Sequence, residues 1–396
     1  MRKNIQTEPV IFREQYLETP LLTREEVEGA MNRAVEQTRV NLEYFGDRFP
    51  TPATRDQVYG RMDNVEWTNG FWTGMLWLCY EYTGDPVFRR YAEAQVDSFL
   101  ERVEKRVELD HHDLGFLYSP SCVAAYKLTG SRKAKQAGIL AAEKLMERFR
   151  QRDGFIQAWG ELGAREHYRL IIDCLMNIPL LYWASQVTGD DRYRTAAGRH
   201  YEKSCQYVIR EDASAFHTFY FDPETGAPVK GVTRQGYSDD SAWARGQAWG
   251  IYGIPLNYRE NRQPDSLKLY KAMTHYFLNR LPEDSVCYWD LVFGDGSGQP
   301  RDSSAAAVAV CGIHEMEQYL PGTDGDKPVY RGAMHRMLRS LMDHYAGGKP
   351  QAGAPVLSHG VYSWHSGKGV DEGNIWGDYY YMEALMRLGR DWNPYW

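Results

Sequence analysis

The stretch Arg169-Leu170-Ile171-Ile172-Asp173-Cys174-Leu175-Met176-Asn177 decides the fold. It sets one carboxylate at the opening of an apolar helix that runs to Val187-Thr188-Gly189-Asp190, and an amphipathic helix then extends to Ile209. A charge in that setting costs free energy unless it is paired, neutralised or solvated in a cavity. Capping a helix or satisfying a buried backbone group is the ordinary alternative. Against that alternative stands repetition. Sixty residues earlier, His111-His112-Asp113-Leu114-Gly115-Phe116 places an acid before another apolar helix, which stops at Leu128-Thr129-Gly130-Ser131 and is followed by an amphipathic helix through Phe149. The two carboxylates are expected to meet in one aromatic-lined pocket.

The same grammar extends in both directions. Glu66-Trp67-Thr68-Asn69-Gly70-Phe71-Trp72-Thr73-Gly74 leads into an apolar helix that ends at Thr83-Gly84, and Asp85-Pro86 starts its partner, the acid as N-cap and the proline as first helical residue. Arg245-Gly246-Gln247-Ala248-Trp249 opens a further apolar helix, Asp302-Ser303-Ser304 another, and Asp371-Glu372-Gly373 precedes the last, from Trp376 to Leu388. The first helix, Thr23 to Phe45, begins with the capping-box spacing Thr23 and Glu26, and Gly46 and Pro50 end it. Counting it as the outer partner that closes the ring gives six apolar and six amphipathic helices. Helices apolar all round are buried on both sides, whereas their partners have one wet face. The pattern predicts an all-α toroid, an (α/α)6 barrel of six hairpins, as one domain over residues 1–396. An open solenoid fits less well with the varied repeat length and long loops. The loops carrying Trp67, Asp113, Asp173, Arg245, Asp302 and Asp371 should open at one end. Within the long loop 211–243, a hairpin of Thr218 to Phe221 with Val229 to Thr233 is expected around Gly226.

Composition narrows the function. A net charge of −7 argues against a general nucleic-acid or membrane binder, which would present a basic face. Aromatic residues make up 14% of the chain, with 12 Trp and 28 Tyr, a richness that suits stacking on sugar rings. The six cysteines, at 79, 122, 174, 205, 287 and 311, form no C-x-x-C pair and fall mostly in apolar helical patterns. With no apolar signal region after Met1 and no run long enough to span a bilayer, a soluble cytoplasmic protein is expected.

Paired acids beside aromatics point to work on a glycosidic or related bond. There is no G-x-S-x-G elbow and no strand–glycine–helix phosphate loop. His111-His112 diverge as neighbours and lack an H-x-x-x-H partner, so no metal is expected. Arg245, at the start of an apolar helix, needs an anion, either a substrate carboxylate or an internal aspartate. His217 suits a sugar hydroxyl or simple packing. Tyr362-Ser363-Trp364-His365-Ser366-Gly367-Lys368 offers two hydroxyls and an ammonium, a sulfate or phosphate cradle if the loop closes on one.

With these residues in place, the chain resembles the unsaturated glucuronyl hydrolases of glycoside hydrolase family 88, in their glycosaminoglycan-active, streptococcal-like form. The similarity is carried by Trp67-Thr68-Asn69-Gly70-Phe71-Trp72, His112-Asp113-Leu114-Gly115-Phe116, Ile172-Asp173-Cys174-Leu175-Met176-Asn177, Arg245-Gly246-Gln247-Ala248-Trp249 and Gly373-Asn374-Ile375-Trp376-Gly377-Asp378-Tyr379-Tyr380. The resemblance implies an (α/α)6 barrel that hydrates the C4=C5 bond of an unsaturated uronic acid at the non-reducing end of lyase-generated oligosaccharides. It implies Asp173 as acid/base and Asp113 as the second essential acid. Trp67, Trp159, His217, Gln235, Arg245 and Trp249 would grip the unsaturated sugar. Ser363, Ser366 and Lys368, with Arg234, resemble the sulfate-recognising feature of members acting on glycosaminoglycan disaccharides. Unsaturated chondroitin or hyaluronan oligosaccharides are therefore the expected partners, for a monomer or weak homodimer without a cofactor. The alternatives are a pectin-directed unsaturated rhamnogalacturonyl hydrolase, a six-hairpin sugar epimerase, for which no catalytic histidine pair is evident, and a non-catalytic sugar-binding protein.

Overall fold

The computed structural model describes residues 4–396. After a short turn of helix, α1 (Arg13–Leu17), come α2 (Arg24–Phe45), α3 (Asn69–Thr83) and α4 (Pro86–Glu104). The next inner helix is α5 (Leu114–Tyr118) and α6 (Ala124–Thr129), joined by a wide π turn over Ser119–Val123, and α7 (Arg132–Met146) pairs with it. Then follow α8 (Pro179–Thr188), α9 (Asp191–Tyr207), α10 (Ala244–Asn261), α11 (Asp265–Leu278), α12 (Ser303–Glu317), α13 (Lys327–Ser340) and α14 (Ile375–Gly389). Local chemistry sets the ends as expected. Thr23 and Glu26 form a reciprocal capping box, Asp85 caps α4 with Pro86 behind it, and Gly84, Gly130 and Gly189 each end a helix in the left-handed conformation.

The inner ring is α3, α5–α6, α8, α10, α12 and α14; α14 packs back on α3 and closes it. The outer ring is α2, α4, α7, α9, α11 and α13. Trp72, Trp77, Trp249 and Trp376, all on inner helices, are fully buried. Close approach at the site end depends on small residues. A methyl group on Gly115 would lie 2.3 Å from Asn177 Cα, and one on Gly70 would lie 2.3 Å from the carbonyl oxygens of Phe116 and Leu117. These are backbone atoms that cannot swing aside. Gly115→Ala is therefore expected to cost about 1–3 kcal/mol by overpacking and to lower activity further by parting the two acid-bearing segments. Urea unfolding and a rate assay on the same variant test both halves.

The loops carry four small antiparallel sheets: β1 (Phe49–Pro50) with β2 (Arg61–Met62), β3 (Phe149–Arg150) with β4 (Phe155–Ile156), β5 (Arg169–Ile171) with β6 (Thr218–Phe221) and β7 (Pro228–Val232), and β8 (Gly360–Ser363) with β9 (Lys368–Glu372). The β6–β7 hairpin turns where the sequence placed it. Two local expectations change. Asp173 lies in a 3-10 turn, Ile172–Met176, because pairing of Ile171 with Thr218 keeps the chain extended to Ile171 and Pro179 starts the α-helix proper. Asp371 lies in β9 and bonds the exposed His359 at 2.8 Å, so it does not join the other acids.

Among the described residues no helix is long and apolar enough to cross a membrane. The cytoplasmic placement read from the cysteines does not stand. All six are free, five of them buried and Cys205 half-buried in the packed interior, and burial accounts for their being unpaired in any compartment.

Candidate active site

Asp113 and Asp173 meet at the end of the barrel where the inner helices begin. Their carboxyl oxygens and a ring nitrogen of His112 all lie within 4.8 Å of one another. The Asp113 side chain is 4% exposed and that of Asp173 17%, so Asp173 is the one presented outward. Asn177, one helical turn after Asp173, ties the segments together. Its Oδ1 accepts from the Phe116 amide at 2.8 Å, and its Nδ2 donates to the Asp173 carbonyl at 3.2 Å and reaches Asp113 Oδ1 at 3.5 Å. One Asp173 oxygen, Oδ1, is buried without a hydrogen-bond partner.

Burial pushes the Asp113 carboxyl up to about 8; hydrogen bonds from Asn177 and the Trp159 indole oppose the rise. Asp173 is likewise pushed well above its ordinary value, first by burial and then by repulsion from Asp113. Both groups therefore hold protons that ordinary aspartates lose. Burial keeps His112 neutral, with Nε2 3.4 Å from Asp113 Oδ1 and 3.3 Å from Asp173 Oδ1. His112 was missed as a member of the site. The argument that adjacent histidines diverge fails here: His111 Nε2 turns to the Glu108 carbonyl at 3.0 Å, but its Nδ1 accepts from the Asp113 amide at 3.0 Å and lies 3.5 Å from Asp113 Oδ2, so both rings reach Asp113. The three groups form a set able to ligate a cation, at the cost of removing protons that burial holds in place.

Arg245 faces the dyad from α10. Its buried ion pair is internal, to Asp302 Oδ2 at 2.6 Å, which resolves the alternatives left by its position in the sequence. It also donates to the Tyr362 carbonyl and Gln235 Oε1, both at 2.8 Å, and lies between the Trp243 and Trp376 rings. His217 precedes β6, and its carbonyl accepts from Ile172 N–H at 3.1 Å, which anchors the Asp173 turn. Burial and then the Arg245 charge push the His217 imidazole down to about 3. Its Nδ1 accepts from the Arg234 amide at 2.9 Å, leaving the ring proton on Nε2 as a neutral donor.

Trp67 donates from Nε1 to the Tyr362 hydroxyl at 2.9 Å and stacks on Trp376 at 5.4 Å. Trp159 lies parallel to His111 at 4.5 Å with 38% of its surface open at the mouth. Trp249 lies deeper than the other aromatic candidates. At 1% exposure it packs under Phe116 (5.2 Å) and Tyr380 (5.5 Å) and supports the floor. Ser363, Ser366 and Lys368 lie on the β8–β9 hairpin; Lys368 Nζ sits 4.2 Å over the Tyr362 ring and Ser366 Oγ bonds the Ser363 carbonyl at 3.3 Å. Arg234 Nη2 is 3.5 Å from the Tyr220 hydroxyl, and the two halves of the predicted cradle are linked through His365 Nε2 and the Gly236 carbonyl, 2.6 Å apart. Tyr362, Asn177 and Asp302 had no assigned role in the sequence. Of these, Asn177 carried the clearest signal, a polar residue four positions after Asp173 on an apolar turn.

Six inner and six outer helices around a protonated carboxyl pair, with aromatics at the mouth, define a six-hairpin glycoside hydrolase. The profile of Glycosyl Hydrolase Family 88 matches residues 43–349. The unsaturated chondroitin disaccharide hydrolase of Streptococcus pyogenes serotype M1 is 62% identical over 394 residues, covering 100% of this chain and 99% of that protein. The unsaturated glucuronyl hydrolase of Bacillus sp. strain GL1 is 45% identical over 93% of this chain and 98% of its own length. The crystal structure of unsaturated glucuronyl hydrolase from Streptococcus agalactiae superposes with a TM-score of 0.99 at 61% identity over the whole of both chains. A variant of that enzyme complexed with dGlcA-GalNAc6S superposes with a TM-score of 0.91 at 57% identity, again over the whole of both chains. The chain belongs to glycosyl hydrolase family 88 and is a glycoside hydrolase of the unsaturated glucuronyl hydrolase type.

Proposed function

We propose that the protein hydrates the C4=C5 bond of the unsaturated uronic acid that ends lyase-generated chondroitin or hyaluronan disaccharides, sulfated ones included, and so releases the amino sugar. The observation that carries this reading is the protonated carboxyl of Asp173, presented at an aromatic mouth beside a second buried acid. The substrate double bond is an enol ether. Asp173 gives its proton to C4 and positive charge develops at C5 and the ring oxygen. The ionised Asp173 then draws a proton from water as its oxygen bonds to C5. The resulting hemiketal opens, the C1 acetal link is lost, and the second sugar departs with its hydroxyl. Asp113 binds ring hydroxyls and keeps Asp173 protonated at neutral pH. Gln235 and the His217 Nε2–H donate to the sugar, and Trp67 and Trp159 bracket it. Arg245, held by Asp302, supplies positive potential near the uronate without giving up its internal partner. Ser363, Ser366, Lys368 and Arg234 receive a sulfate on the hexosamine. One chain supplies every group in this reading, which fits a monomer or a weak dimer.

The test is loss of the conjugated-acid ultraviolet band of unsaturated chondroitin disaccharides, sulfated and unsulfated. Wild type is expected to bleach both, the sulfated sugar at lower KM. Ser363→Ala combined with Lys368→Ala should raise KM for the sulfated sugar about tenfold, in line with the loss of one or two charge-assisted hydrogen bonds, and leave the unsulfated sugar unchanged. Equal effects on both would remove the sulfate role from this loop. No bleaching of either sugar by wild type would overturn the glycosaminoglycan reading and direct the search to pectin fragments.

A further inference from the structure

The end of the barrel opposite the carboxyl pair holds a second concave site. A cavity of about 410 Å³ opens between α13 on the outside and the last turns of the inner helices α12 and α14. His314 in its wall lies twelve residues along the chain from Asp302, roughly 18 Å of helix rise away from the site end. No group of the hydration reaction reaches that far. The volume falls in the range of small-molecule sites.

Its outer wall is a stripe of basic residues. Lys327, Arg331 and His335 recur at steps of four along α13 and share the face turned to the cavity. One acid on the inner wall answers them. Arg331 Nε donates to Glu317 Oε1 at 2.7 Å and its Nη2 to the same oxygen, which leaves Arg331 Nη1 and Glu317 Oε2 without a partner among the described residues. Lys327 has no carboxylate partner among them either; its Nζ donates to the Leu320 carbonyl at 3.1 Å. Arg387, also in the wall, is already neutralised by Glu315 and Glu383, each at 2.9 Å. The two imidazoles are neutral. His314 is pushed down to about 4 by burial and then by Arg387, and His335 to about 4 by burial and then by Arg331. His335 Nδ1 accepts from the Leu22 amide at 3.0 Å, so its proton sits on Nε2 as a donor. The His314 ring donates to the Arg387 carbonyl, while its Nδ1 is buried with no hydrogen-bond partner. That nitrogen is therefore an acceptor left unmet, a costly state for a buried polar atom.

We infer that this cavity is an effector site for a phosphorylated monosaccharide of hexose size. Lys327, Arg331 Nη1 and His335 Nε2 take the phosphate, as charged and neutral donors. Glu317 Oε2 and His314 Nδ1 accept from sugar hydroxyls, and Met334 and Leu388 supply an apolar flank for the C–H face. A bare anion would leave both acceptors unmet and face the Glu317 charge. A neutral sugar would leave the cations unanswered. Only a ligand that carries an anion and hydroxyls together meets every group in the wall.

The test is titration calorimetry with glucose 6-phosphate, glucose and inorganic phosphate on the full chain carrying Ser363→Ala and Lys368→Ala, so that the β8–β9 hairpin cannot hold the phosphate. Glucose 6-phosphate is expected to bind once per chain with a Kd of about 1 mM or tighter, and glucose and inorganic phosphate at least about tenfold more weakly. Adding Lys327→Ala should weaken glucose 6-phosphate roughly tenfold, the loss of one charge-assisted hydrogen bond, with the ligand-free melting temperature unchanged because Lys327 holds no ion pair. Lys327→Met, which keeps the length of the side chain, replaces alanine if that variant melts early. An unsaturated chondroitin disaccharide should not compete. No binding of glucose 6-phosphate would overturn the inference, as would binding that ignores the loss of Lys327 or yields to the disaccharide, since the ligand would then sit elsewhere. Equal affinity for inorganic phosphate would remove the sugar from the reading and overturn it as well.

Discussion

Asp173→Asn is expected to lower kcat for an unsaturated chondroitin disaccharide by about a thousandfold, with KM nearly unchanged, within the range that a positioned proton donor contributes. The amide keeps the shape and the hydrogen-bonding reach of the carboxyl but has no proton to give to C4. The same substitution is expected to leave the fold at least as stable as wild type at neutral pH. Asp173 has a folded pKa raised well above its ordinary value, first by burial and then by Asp113. Folding at pH 7 therefore takes up a proton that the unfolded chain has lost. The stability of such a group is complete below the unfolded pKa and declines as pH rises toward the folded one. Asparagine escapes that decline. The melting temperature of Asp173→Asn should match wild type near pH 4 and exceed it increasingly from pH 6 upward. A variant that keeps more than a tenth of wild-type kcat would remove Asp173 as the acid. A variant inactive because it melts early would show the opposite temperature shift.

Much of this is legible in the amino-acid sequence. Helix ends are set by local chemistry, and the repeated Thr-Gly stops at Thr83-Gly84, Thr129-Gly130 and Thr188-Gly189 expose the hairpin rhythm directly. Because the inner helices all start at one end, acids at equivalent places in the repeat, Asp113 and Asp173, had to approach each other. What sequence spacing does not encode is the partner chosen across the ring. Asp302 lies 57 residues from Arg245, and the Tyr362 carbonyl 117 residues from it. Both reach the guanidinium only because the barrel closes. Trp249, one turn into an inner helix, lies deeper than Trp67 and Trp159, which stand in loops. The sulfate-type loop shows the same limit, since its turn is placed by His365 on Gly236, a contact between segments 129 residues apart.

The second large effect is expected from Asp113→Asn, and its signature is a pH shift. Asp113 has its carboxyl raised to about 8 by burial, with Asn177 and Trp159 pulling the other way. Asp173 is raised well above its ordinary value, first by burial and then because the Asp113 charge, once formed, repels a second one. In wild type the alkaline limb of kcat therefore reports the proton on Asp173 and lies well above the ordinary carboxylate range. Replacing Asp113 by a neutral amide leaves the burial and removes the repulsion. The Asp173 pKa must then fall, and the alkaline limb should move to lower pH by about one unit or more, the scale on which adjacent carboxyls interact. At the optimum, kcat should also drop roughly a hundredfold, because the carboxyl that binds the ring hydroxyls is replaced by an amide with an N–H where one of its oxygens stood. The two effects separate the roles. A group that only packed against its neighbours would lower the rate across the whole pH range and leave the limb in place. A limb that stays put, or moves to higher pH, would show that Asp113 does not govern the proton on Asp173. His112 provides the internal control. It is neutral and within 3.4 Å of both carboxyl groups, so His112→Gln should lower the rate while moving the limb far less than Asp113→Asn, since it removes no charge.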